Sequence, residues 1–183
     1  MIPELELLRE KLASRVQTKR ISIESSSDDA LQILPTIEDS FPISVSFSDG
    51  KYNVEVREWH GHYDQFEEVS AVVCWLLTPY YRVVTSKQNN EIIATWLEIY
   101  TDAGWEGTEY VYYQDPTTFE SPAENADTIT ILTQAVFLDS AFTTYFPGAH
   151  LDQAGYPLGT IVGETSYERR NDGWYPFGVP EAE

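Results

Sequence analysis

No lysine or arginine occurs between Lys87 and Arg169, although thirteen carboxylates fall in that span. His150 is the only other basic side chain there, and an unperturbed imidazole is mostly neutral at pH 7. A surface so one-sided repels phosphate backbones and anionic membranes and attracts basic partners. Nucleic acid and membrane are therefore excluded as expected partners. Cysteine is almost missing. Cys74 stands alone, which rules out an intramolecular disulfide and fits a reducing compartment. No basic N-terminal stretch is followed by an apolar signal core, and no apolar run approaches the ~18 residues of a membrane span. The expected location is cytoplasmic.

The catalytic signatures that a sequence can show are also missing. There is no Gly-x-Ser-x-Gly elbow, no Gly-x-x-x-x-Gly-Lys phosphate loop and no His-Glu-x-x-His pair. Cys74 falls within an apolar helical stretch, where a thiol behaves as a small hydrophobe. Paired carboxylates could serve glycoside hydrolysis. Among 30 acidic residues, however, some pair always looks suitable.

What is present suits one globular domain over residues 1–183. Hydrophobic residues make up 42% and aromatics 14% of the 183 residues, a balance that favours β-structure and argues against disorder. The net charge is −19, yet residues 1–20 carry five cations against three carboxylates.

The pattern predicts an α+β fold, an antiparallel sheet of hairpins with an N-terminal helix and a central helix (about 64–77) packed on one side. Pro3 opens the first helix, and Leu5, Leu8, Leu12 and Val16 share one face. Ile21 and Ile23 alternate with polar residues in a short strand, and Leu31 and Ile33 begin the return. Asp49-Gly50 is a two-residue hairpin loop that pairs Phe47 with Tyr52, Val45 with Val54 and Ile43 with Val56. Asp64 and Glu67 have capping-box spacing before the buried stripe Phe66, Val69, Val73, Leu76 and Leu77, and Pro79 ends that helix. Strands follow at about 80–87, 91–101 and 105–113, and Pro116–Pro122 is a loop. Residues 127–137 read as a strand, with a helix as the alternative, and 139–146 as a short helix. The Gly- and Pro-rich tail contains an Asn171-Asp172-Gly173 turn.

Two groups of residues could carry function. Trp59, His60, His62 and Asp64 form a corner between strand and helix. Two imidazoles at His-x-His spacing lie on one side of a strand, as zinc sites can require. A third ligand would have to come from His150 or a carboxylate, so neither metal nor cofactor is expected, and the corner reads as structural. The second group comes from pairing Thr101 with Trp105. That register places Ile93, Leu97, Ile99, Val111 and Tyr113 on a core face. Trp96, Glu98, Tyr100, Glu106, Tyr110 and Tyr112 then share the opposite face. Aromatics interleaved with carboxylates can embrace Lys and Arg. The competing reading covers this face with a C-terminal layer bearing Trp174 and Tyr175.

The Trp59-His60-Gly61-His62-Tyr63-Asp64 run, the helix with Cys74, and the later Trp96-Leu97-Glu98 and Asp102-Ala103-Gly104-Trp105 resemble a group of uncharacterised bacterial proteins. Those carry Trp-His-x-His-Phe-Asp, so Tyr63 replaces Phe here. The resemblance spans about residues 50–106 and implies the fold alone. The leading expectation is an acidic binding protein or inhibitor that docks on a basic protein, such as a toxin domain, in the manner of bacterial immunity proteins. A small hydrolase using the His60/His62 corner, and a scaffold whose charge serves solubility, stay open beside it.

Overall fold

Hydrophobic residues alternate with polar ones along most of this chain, and each alternating run needs a neighbour to bury its apolar side. A computed structural model describes residues 2–15, 20–38, 40–116, 121–136, 148–170 and 173–177. Its strands form two antiparallel sheets, where one was expected. The first sheet has five strands in sequence order: β1 (Ile21–Ser27), β2 (Ala30–Pro35), β3 (Ile43–Ser48), β4 (Lys51–Val56) and β5 (Trp59–Tyr63). The second contains β6 (Tyr81–Gln88), β7 (Glu91–Thr101), β8 (Gly104–Tyr112), β9 (Thr128–Thr133), β10 (Gly163–Arg170) and β11 (Gly173–Pro176). Its order is β11-β10-β9-β6-β7-β8. With helices α1 (Pro3–Arg15) and α2 (Phe66–Leu76) the class is α+β.

The Asp49-Gly50 hairpin pairs Phe47 with Tyr52 and Val45 with Val54. Both loop residues have positive φ, 53° and 78°, as a type I′ turn demands. Val45, Val54 and Val56 are fully buried. On α1 the buried residues are Leu5, Leu8 and Leu12, and Val16 lies outside the described residues. Helix α2 touches β4, β5, β6 and α1. One hydrophobic cluster joins α1 and α2 to residues of both sheets, among them Val54, Trp59, Val83, Leu97 and Leu132.

Helix α2 begins at Phe66, one residue later than the capping-box spacing implies. Gln65 is the N-cap, extended at φ −114°, and no side chain caps the helix. The reason is the strand before it. Tyr63 is still paired with Tyr52, so Asp64 is leaving the sheet and instead meets Lys51 at 3.5 Å. The expected stripe is buried throughout, with Leu77 just past the helix end.

The turn between β7 and β8 also differs from expectation. Thr101 pairs with Gly104, not Trp105. The Thr101 hydroxyl accepts the Ala103 N–H at 3.1 Å and donates to Glu106 at 3.0 Å, which holds a two-residue loop. Farther along, the register shifts between Thr95 and Leu97, and Glu109 has φ 51°. This bulge adds one residue to β8 and restores the expected face beyond it. Of the 127–137 segment, Thr128–Thr133 form strand β9, and Phe137, the 139–146 helix and Asn171-Asp172 lie outside the described residues. Strands β10 and β11 had no reading as strands. Strand β10 is mostly Thr, Ser, Glu and Arg and pairs with β9 on one side and with the four-residue β11 on the other, and neither has an apolar alternation to announce it.

Candidate interaction surface

The outer face of the second sheet is where the aromatic and acidic residues were expected to meet a partner. The structure brings Trp96, Glu98, Tyr100, Tyr110 and Tyr112 to that face and removes Glu106 from it. Glu106 pairs with Ile99, so the shorter turn sends its side chain to the opposite face, toward Thr101. Trp105, opposite Tyr100, takes its place.

Most of that face is spent internally. Trp96 is 4% exposed and its indole donates to Glu98 at 3.0 Å. The other oxygen of Glu98 takes both Nε and an Nη of Arg82 at 2.5 Å. The Arg82 guanidinium lies 4.0 Å from the centre of the Trp105 ring. Tyr100 is buried and donates to the His150 carbonyl at 2.8 Å. Trp96 clusters with Val84 and Ala94, against which Ala123 of the loop after β8 and Ile129 and Ile131 of β9 pack. Trp174 instead borders a neighbouring groove of about 240 Å³ with Tyr167, Ile129 and Trp96.

Tyr110 and Tyr112 remain open, at 43% and 42% exposure. Tyr110 stacks on Trp96 at 5.5 Å and on Tyr112 at 5.9 Å, nearly parallel in both cases. Gly107 permits this, because a Cβ there would collide with the Tyr110 hydroxyl. Burial, followed by the charge of Glu98 and the neighbouring Tyr112, pushes the Tyr110 phenol upward. The ring is thus a neutral platform at ordinary pH.

The bulge at Glu109 ties the two sheets together. The buried Trp59 ring donates its N–H to the Glu109 carbonyl at 3.0 Å, and the Tyr63 hydroxyl donates to the Glu109 carboxylate. Tyr113 donates to the Glu58 carbonyl in the β4–β5 turn. Tyr63 reaches across because residue 61 is glycine: a Cβ there would lie 2.5 Å from the Tyr63 hydroxyl. The Tyr63 phenol is pushed up strongly, first by burial and then by its bond to Glu109. Tyr81, partly buried nearby and close to the same carboxylate, is pushed up to about 12.

A cleft of about 630 Å³ opens where edge strand β5 meets edge strand β8. Strand β5 contributes His60, His62 and Tyr63 and runs into Asp64, α2 contributes Glu68, and β8 contributes Glu109 and Tyr110. The described lining holds three carboxylates and no lysine or arginine. His60 and His62 lie with ring centres 5.2 Å apart, opposite Glu55 and Asn53 on the face away from the core. His62 Nδ1 is 2.5 Å from the Asn53 amide oxygen. Among the described residues no group of three or more His, Cys, Asp or Glu could hold a metal ion. Among the described residues no helix is long and apolar enough to cross a membrane.

Tyr63, Glu68, Glu109 and Arg82 were not anticipated as site residues. Glu109 matters through a bulge whose one local signal is Gly107 inside the strand, and Glu68 and Tyr63 through proximity across sheets. The chain matches no protein-family model, no curated protein and no solved structure.

Proposed function

We infer that this is an acidic binding protein that docks on a basic protein and inhibits or neutralises it, as bacterial immunity proteins do with toxins. The observation that carries this reading is how the chain spends its own cations. Arg9, Lys51, Arg57, Arg82 and Arg170 each pair with one of its carboxylates. With 11 Lys and Arg against 30 Asp and Glu, pairing every cation would still leave a large acidic surplus. The exposed tyrosines of β8 supply the second ingredient, rigid amphipathic rings of the type that anchors interfaces.

The docking surface lies on and beside β8. Tyr110 and Tyr112 of the anticipated set are exposed, with Trp96 stacked against Tyr110. A single cysteine in the sequence favours the cytoplasm as the site of action.

The test is to immobilise the protein, recover what binds from its native cell and follow the kinetics. A basic partner is expected, with association slowing steeply as ionic strength rises, because the Debye length falls from ~10 Å at 0.1 M to ~3 Å at 1 M salt. A neutral or acidic partner, or association indifferent to salt, overturns the reading.

A further inference from the structure

Nearly every described lysine and arginine side chain has a partner within the chain. Carboxylates take five of them, the Val136 carbonyl takes Arg20, and aromatic rings lie beneath Lys11 and Arg169. Among the described side chains Lys87 is the exception, with no carboxylate, carbonyl or ring to meet its ammonium. That is unexpected in a chain with 30 carboxylates. Nor does Lys87 stand out in solvent, for it is half-buried near the end of β6.

Thr85 precedes it by two residues, and strand alternation puts the two on one face of β6. Thr85 is 4% exposed, yet its hydroxyl makes no hydrogen bond among the described residues. Buried hydroxyls are normally bonded. Both residues line a cavity of about 60 Å³ between the second sheet and the β4–β5 turn. Thr130, opposite Thr85 on β9, lines it too, as do Arg57 and Glu58 of that turn. Tyr113 holds the turn in place by donating to the Glu58 carbonyl. Of the two carboxylates in the lining, Glu164 is answered by Arg57 at 3.5 Å, and Glu58 is exposed and so screened by solvent. An ammonium and a hydroxyl thus converge on one cavity, and the acceptor that both lack is missing from the chain itself.

We propose that this cavity binds a small oxyanion, a carboxylate or an inorganic phosphate, held by the Lys87 ammonium and the Thr85 hydroxyl with the Arg57 guanidinium beside it. Charge-assisted bonds from a partly desolvated ammonium are the strong kind, and the long, half-exposed pairing of Arg57 with Glu164 leaves that guanidinium free to share. About 60 Å³ admits one such ion, or roughly two waters at ~30 Å³ each. A nucleotide is too large for it, so the site agrees with the exclusion of nucleic acid. The inference is independent of the docking function, since it concerns an ion and not a protein partner.

Calorimetric titration of the full chain with sodium acetate and, separately, with sodium phosphate tests it, in buffer whose other anion is chloride. Wild-type protein is expected to bind at least one of the two saturably, one ion per chain. Acetate alone would mark a carboxylate site and phosphate alone a tetrahedral one, and either supports the proposal. Lys87→Met should weaken binding about tenfold or more. Thr85→Val, which keeps the shape and deletes the hydroxyl, should weaken it several-fold. Lys51→Met removes the same charge at the opposite end of β4 and is expected to stay within about twofold. Far-ultraviolet spectra matching wild type confirm that each variant folds. No saturable binding of either ion by the wild type would show that the cavity holds only water and would overturn the proposal. Equal losses in Lys87→Met and Lys51→Met would overturn it as well, because the effect would then be one of net charge.

Discussion

Trp59 and Glu109 are 50 positions apart, yet the indole N–H of one donates to the main-chain carbonyl of the other at 3.0 Å. Trp59 is fully buried, and Glu109 is the positive-φ residue of the β8 bulge. The bond therefore joins the edge of one sheet to the irregular point of the other. Trp59→Phe keeps most of the buried ring and deletes the donor. It should cost about 1–3 kcal/mol through the unpaired carbonyl. Trp59→Ala adds a cavity and should cost about 3–5 kcal/mol. Denaturant titration of both variants measures the difference, and equal stability of Trp59→Phe and wild type would show that the bond holds nothing in place.

Gly107 and Gly61 make room for particular rings. Gly107→Ala should push Tyr110 off Trp96, and Gly61→Ala should move Tyr63 away from Glu109, each by steric contact with the hydroxyl. Near-ultraviolet circular dichroism reports the loss of ring stacking. Far-ultraviolet spectra should stay close to wild type in both cases. An unchanged aromatic signal in Gly107→Ala would count against the stack as described.

The ion pairs should differ in worth according to their exposure. Arg57 and Glu164 are about half exposed and 3.5 Å apart, so Arg57→Ala is expected to cost less than about 1 kcal/mol. Arg82 and Glu98 are 20% and 16% exposed. Glu98→Ala leaves a mostly buried guanidinium and an indole donor without partners, a loss that approaches ~3 kcal/mol. Comparable costs for the two variants in matched denaturation curves would contradict this ordering.

Alkaline pH offers a test of the sheet junction. Tyr81 is raised from 10.0 to about 12 by burial and then by Glu109, and Tyr63 is raised for the same first reason together with its bond to Glu109. Below pH 10 both phenols keep their protons in folded and unfolded chains, so stability should be level there. Between 10 and about 12 the unfolded chain releases protons that the folded one retains, and stability should fall as pH rises. Absorbance titration of tyrosinate should show these two phenols ionising last. Glu109→Gln should bring Tyr81 down, because that charge is one of its two causes.

Local pattern carried much of the first sheet and the helices. The Asp49-Gly50 turn, the Val45–Val54 pairing and the α2 stripe follow from turn chemistry and periodicity, which act over a few residues. The β7–β8 hairpin was legible in its strands but not in its face assignment. A one-residue change at the turn reverses every side chain up to the next irregularity, and the Glu109 bulge reverses them again. Tyr110 and Tyr112 therefore fell where the pattern put them, and Glu106 did not. Strands β10 and β11 escaped because the first is mostly polar and the second is only four residues long, so neither shows the apolar alternation that marks a half-buried strand.

Composition alone determined the acidity, the span without lysine or arginine and the stock of aromatic residues, since these need no coordinates. Tertiary structure decided which of them face water. Trp96 and Tyr100 are buried by loops distant in sequence, Glu98 is taken by Arg82, and His62 turns to Asn53. The cleft exists only because β5 and β8 are edge strands of different sheets brought side by side by Trp59, Tyr63 and Tyr113. Those contacts span about fifty residues, and hydrophobic burial across the junction, not any local preference, selects them.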